Sequence, residues 1–154
     1  MISPRPGRFF SWAETGLTED SSHELQSMAV YLCGAILDPL REITGSLVVT
    51  RWHSTPEHNK EVGGVEGSQH LLAAAADLLP QTNLNGTSSA GLIDSLAKTL
   101  RNGRANFDQI IGYEGSPHIH VSVRQPWDKR NNRHEILIKR SSGHGYREAG
   151  LANT

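Results

Sequence analysis

The sequence predicts an α+β domain, a small mixed or mainly antiparallel sheet with helices packed on it. Two helical stripes of apolar residues, over 25–40 and 92–100, and a series of short β-prone runs in the last third lead to that class. Together with a strand at 47–50 and a bend after His70, these runs suggest one sheet with helices covering one side.

Residues 1–20 read as an irregular lead-in anchored by Phe9, Phe10 and Trp12. Ser21-Ser22-His23-Glu24 has the form of a capping box. Behind it Leu25, Met28, Ala29, Leu32, Cys33, Ile36, Leu37 and Leu40 recur at helical spacing, with Pro39 ending or kinking the last turn and Gly45 closing it. Leu47-Val48-Val49-Thr50 reads as a short buried strand. Arg51 to Gly67 is rich in His, Pro, Asn and Gly and reads as a long functional loop.

Gln81 to Ser89 is a second loop, after which Ser88 or Ser89 caps a helix with Leu92, Ile93, Leu96, Ala97 and Leu100 inward. Gly103 stops it, and Asp94 with Lys98 forms a surface pair. Phe107 to Tyr113, His118 to Val123 and Glu135 to Lys139 read as strands. Ser141 to Thr154 has few apolar residues and reads as an exposed tail. The expectation is one domain over 1–154, with its core at about 21–139 and a tail from 140.

Composition narrows the function classes. A length of 154 residues is enough for a core without covalent staples, and the single cysteine, Cys33, excludes an internal disulfide. A formal net charge of −1 argues against non-specific nucleic-acid binding. Arg124, Lys129, Arg130 and Arg133 make a local basic patch that reads as a solvated loop. No membrane-spanning run is present, and Met1 to Arg8 is basic without the apolar run of a signal peptide. The expectation is synthesis in the cytoplasm.

The chemistry concentrates in two stretches. A glycine-rich approach, Gly63-Gly64-Val65-Glu66-Gly67, leads into Ser68-Gln69-His70, and Asp77 follows seven residues on; later comes Ser116-Pro117-His118-Ile119-His120. Two histidines and one aspartate with an open fourth position make a catalytic zinc pattern. Zinc holds its ligands at about 2 Å, so the side chains must converge. A strand would separate residues 70 and 77 by roughly 23 Å and a helix by roughly 10 Å. The chain must therefore bend between them, and the small side chains of Ala73 to Ala76 allow it. His118 and His120 point to one strand face, so that one binds metal while the other faces the same cavity.

With these residues in place, the sequence resembles the zinc D-Ala-D-Ala carboxypeptidase and peptidoglycan endopeptidase family, the M15 peptidases, whose fold is shared with the hedgehog signalling domain. Ser68, His70, Ala75 and Asp77 match the signature Ser-x-His-x-x-Gly-x-Ala-x-Asp, with Ala73 in place of glycine, and His118-Ile119-His120 matches the later strand. Leu37-Asp38-Pro39-Leu40-Arg41, Pro56-Glu57-His58-Asn59, Gly63-Gly64 and Phe107-Asp108-Gln109-Ile110-Ile111 also match. The likeness runs from about Phe10 to Lys139 and is closest to short bacteriophage forms.

The resemblance implies one zinc ion per chain on His70, Asp77 and His120, polarising a peptide carbonyl and activating water. Many relatives carry an acidic base three positions before the last ligand, where this chain has Pro117. Glu114 is the replacement expected as base, and His118 as stabiliser of the oxyanion. The family arginine that grips substrate carboxylate is replaced by Ser54, which cannot take over bidentate recognition; Arg51 on a shifted loop is one candidate to stand in for it. Arg51, Ser54, Ser68 and Gln109 form the expected substrate-binding set. The implied function is a zinc-dependent peptidoglycan peptidase of a phage lytic or virion-associated kind. It would act on stem or cross-bridge peptides, reaching the wall after lysis or within a virion beside other virion proteins. The alternative is a catalytically weak virion structural or wall-binding protein that keeps the fold and the zinc.

Overall fold

A computed structural model describes residues 1–64, 67–81, 88–141, 143 and 145–150. The elements are α1 (Trp12–Thr15), α2 (His23–Leu32), α3 (Asp38–Thr44), β1 (Leu47–Arg51), α4 (Pro56–Glu61), β2 (Ala75–Pro80), α5 (Ala90–Asn102), β3 (Gln109–Tyr113), β4 (Ile119–Ser122), β5 (Glu135–Lys139) and β6 (Tyr146–Glu148). One six-stranded sheet runs in the order β1-β2-β4-β3-β5-β6, parallel only between β3 and β5. The architecture is the expected α+β class with a mainly antiparallel sheet.

The sheet has two different faces, set by strand alternation. Leu78, Ile110, Ile119, Val121, Ile136 and Ile138 point to one side and join Leu32, Ile36, Leu40, Ile93 and Leu100 of the helices in a single core. α5 seats closely because Gly112 faces it; a Cβ there would lie 2.8 Å from Ile93 Cγ1. The opposite face carries Asp77 and His120, paired directly across β2 and β4.

Several local readings change. Ser22 alone caps α2, accepting from the Leu25 N–H, while the Ser21 hydroxyl accepts from Thr18. The reciprocal arm of a capping box lies upstream, where Glu14 accepts from the Ser11 N–H at 2.9 Å and opens α1 inside the lead-in. Pro39 does not end the first long helix. A π turn at Cys33–Leu37 precedes it, and the Ala35 carbonyl, which Pro39 has no N–H to satisfy, accepts from Asn106 at 3.1 Å. β1 is an edge strand with Val48 45% exposed, not a buried one.

The stretch 51–67 contains α4, opened by Pro56 and capped by Thr55, which turns a supposed loop into an anchored helix. The loop expected over 81–89 has residues 82–87 outside the described set, as are Val65 and Glu66. The tail is not free up to residue 150. β6 extends the sheet from β5, Ala149 is buried, and Arg147 makes a bidentate pair with Asp94 at 2.7 and 2.8 Å. Asp94 is thereby engaged by Arg147 rather than by Lys98. An ion pair and a ladder, not apolar content, hold this segment, so hydropathy could not reveal it.

The basic patch is likewise built rather than loose. Asp108, 1% exposed, accepts from Arg133 Nη2 at 2.8 Å and Nε at 3.0 Å, and Arg124 Nε stands 3.2 Å away. Burial opposes ionisation of Asp108, but the Arg133 hydrogen bonds outweigh it and hold the carboxyl below the usual range. A depressed folded value means that this contribution is complete above about pH 4 and is lost as pH falls through the folded value. We expect wild type to lose stability in acid more steeply than Asp108→Asn, read from thermal melts between about pH 2 and 5. Asp108→Ala should cost on the order of 3 kcal/mol at neutral pH in denaturant titrations, because two arginines lose their shared partner.

Candidate metal centre

The bend between His70 and Asp77 is made in three steps. Ser68 opens a 3-10 turn over Gln69–Leu72, its hydroxyl accepting from the His70 N–H at 3.2 Å. Ala73 then takes the left-handed conformation with φ 58°, which explains why glycine is usual at this place in the signature. The chain returns as β2, and Asp77 emerges on the open face opposite His120.

Trp52 locks the turn. Its buried indole donates from Nε1 to the Ala73 carbonyl at 3.1 Å, and its own carbonyl lies 2.7 Å from His70 Nδ1. A carbonyl only accepts, so Nδ1 carries the proton and Nε2 keeps its lone pair for a metal. His70 Nε2 is 3.4 Å from Asp77 Oδ2, and His120 Nδ1 is 2.8 Å from Asp77 Oδ1. Ligand atoms of the three residues all lie within 4.8 Å of one another. His70 is buried, whereas Asp77 and His120 are partly open to solvent, so the centre is reached from the uncovered face.

Electrostatics prepare it for a cation. Burial works against the charge on Asp77, yet the hydrogen bond from His120 prevails and holds the carboxyl well below the ordinary range. Two imidazole nitrogens and a carboxylate oxygen with one position left over form a donor set that zinc accepts, and the Trp52 carbonyl supplies the outer partner such histidines use.

The other expected site residues divide. His118 lies on the side of His120, its Nδ1 2.9 Å from Ser116 Oγ and its carbonyl accepting from Ser89 Oγ at 2.6 Å. Arg51 stands opposite Asp77 because a bulge between Val49 and Arg51 shifts the register, turning it to the open face. Its guanidinium donates to Ser54 Oγ at 2.9 Å and Asn59 Oδ1 at 2.8 Å. Gln109 is on the same face, bonded to Glu135 at 3.0 Å. Ser68 is engaged in the turn itself.

Glu114 is not brought to the centre. Alternation from Gly112 turns it to the helix side, where its carboxylate accepts from the Ser141 N–H at 3.3 Å and lies 4.0 Å from Arg147 Nε. Tyr113, at the end of β3, shares the ligand face with Gln109 and Ile111. Burial, the Asp77 charge and Tyr146 push its phenol up to about 12. Sequence reasoning missed Tyr113 and Trp52; the two-residue period of the 107–113 run marks the first, and nothing local marks the second.

Two histidines and one aspartate thus gather on the open face of an α+β sheet in an arrangement that can hold a divalent metal. The family model described as Peptidase M15 matches residues 13–122, from α1 through β4, a span that includes His70, Asp77 and His120. The chain belongs to the M15 peptidase family, whose members are zinc-dependent. No curated protein matches it.

We expect purified protein to take up about one zinc per chain. Asp77→Asn and His70→Ala should abolish uptake, measured by elemental analysis. Zinc at a hundredfold excess over its dissociation constant should stabilise wild type alone, by about 2.7 kcal/mol.

Proposed function

We propose that this chain is a zinc-dependent peptidoglycan peptidase that cleaves D-amino-acid-containing peptide bonds in stem or cross-bridge peptides. We place its work in phage lysis of the bacterial wall, after release from the cell or as part of a virion beside other virion proteins. The observation that carries the reading is the convergence of His70, Asp77 and His120 on a face that solvent reaches, with the Trp52 carbonyl fixing the first histidine. No helix among the described residues is long and apolar enough to cross a membrane.

In this reading His70 Nε2, an Asp77 oxygen and His120 Nδ1 hold the metal. Zinc, when bound, polarises the scissile carbonyl and makes a water nucleophilic near neutral pH. His118 takes the proton of the attacking water and passes it to the leaving amine. Its Nδ1 is engaged by Ser116, so Nε2 is the atom that works. The expected base Glu114 faces Arg147 instead and serves the sheet edge. Arg51 takes the part of the missing family arginine: Ser54 accepts from its Nε and so steadies it beside Asp77, where a substrate carbonyl or carboxylate would meet it. Gln109 lines the same face.

The absence of an acidic residue at Pro117 favours a second reading, a wall-binding or virion structural protein with weak or no activity. Purified peptidoglycan separates the two. We expect soluble fragments that disappear with a chelator and return with zinc. His118→Ala should lower their release by about 10²–10⁴ while zinc content stays at wild type. Glu114→Gln should release fragments at the wild-type rate. Bound zinc with no release from walls of several chemotypes would establish the structural reading instead.

A further inference from the structure

We propose that Tyr113 is a catalytic residue, its hydroxyl donating a hydrogen bond to the scissile carbonyl oxygen as negative charge develops there. This role rests on the peptidase reading above.

The register carries the argument. Ile111 pairs with His120 across β3 and β4, so alternation sends the Tyr113 side chain to the ligand face, beside His118. The strand end that bears it is clamped at both backbone groups. The Tyr113 N–H donates to Ser89 Oγ at 2.8 Å, and its carbonyl accepts from Ser88 Oγ at 2.8 Å and from the Ser89 N–H at 3.1 Å. A half-buried ring on so fixed a backbone has few orientations to lose, which is the preorganisation that such stabilisation needs. The hydroxyl has no hydrogen-bond partner among the described residues, so its donor is uncommitted. A phenol ordinarily titrates at about pH 10, so at neutral pH the hydroxyl carries its proton and acts as a hydrogen-bond donor. Proton transfer is left to His118, and the two neighbours divide the work that the missing acidic residue would otherwise share.

Tyr113→Phe removes one oxygen and no described hydrogen bond, so the fold is retained. We expect kcat for wall-fragment release to fall by about 10²–10³ with KM little changed. Affinity for a phosphinate analogue of the bond identified from wild-type digestion products should fall by a comparable factor, while zinc content stays at wild type. Tyr146→Phe, on the exposed strand β6, should match wild type in all three. A Tyr113→Phe protein with wild-type kcat and phosphinate affinity overturns the role. So does one that loses zinc in step with affinity, since that would make the tyrosine a support of the ligands. A wild-type protein that releases nothing overturns the peptidase reading and this role with it. An active wild type beside an unimpaired phenylalanine variant overturns the role alone.

Discussion

The 2.7 Å hydrogen bond between His70 Nδ1 and the Trp52 carbonyl ties the centre to the body of the protein. Trp52 is the point where separate parts of the chain meet. Its ring packs edge-on against Phe10 of the lead-in, and its indole holds Ala73 at the turn into β2. Ser54, two residues on, donates its N–H to the His70 carbonyl. The histidine is thus held at ring and backbone by one short segment after β1. With its tautomer fixed, the lone pair on Nε2 has one direction left, toward Asp77. Without that bond the imidazole would be one more buried polar ring, and the two strand ligands would face it without order.

The grouping of His70, Asp77 and His120 was legible because their chemistry and spacing are unusual together, and because a two-residue period leaves no choice for His118 and His120. The strand over 135–139 and the α5 stripe were legible for the same kind of reason, a strong period over a clear length. What the sequence hid depends on partners distant along the chain. The β6 segment is held by Arg147 on Asp94, and an arginine in a polar tail carries no mark of its partner. At the π turn the Ala35 carbonyl takes from Asn106, far along the chain, the donor that Pro39 lacks. Glu114 was misplaced by counting residues back from His120, a measure that ignores which way a strand residue points. The bulge that turns Arg51 outward is equally silent, since Val49, Thr50 and Arg51 would read as strand in either register.

The sheet itself is divided between tasks. Its helix side is closed by aliphatic residues and by a glycine that lets α5 approach, while the other side mixes aliphatic residues such as Ile111 and Leu137 with Asp77, His120, Arg51 and Tyr113. The connection through 123–134 carries the chain from β4 past β3 to β5, and it is stapled by Asp108 to Arg124 and Arg133. The same carboxylate lies 3.5 Å from Gln69 Nε2, so the connection is tied to the turn that carries His70.

Alternation also limits how this chain can acquire new chemistry. Substitution reaches the metal only from positions that share its side of the sheet, such as 109, 111, 113, 118, 122 and 137. A carboxylate introduced at Ile111 or Leu137 enters the field of the ligands, whereas at Ile110 or Ile136 it is forced among aliphatic side chains at a cost few domains survive. Variation at this centre therefore moves on a lattice of every second residue. Inserting or deleting one residue before His120 would exchange the two sublattices of β4, turning its imidazole into the core and an isoleucine or valine toward the metal.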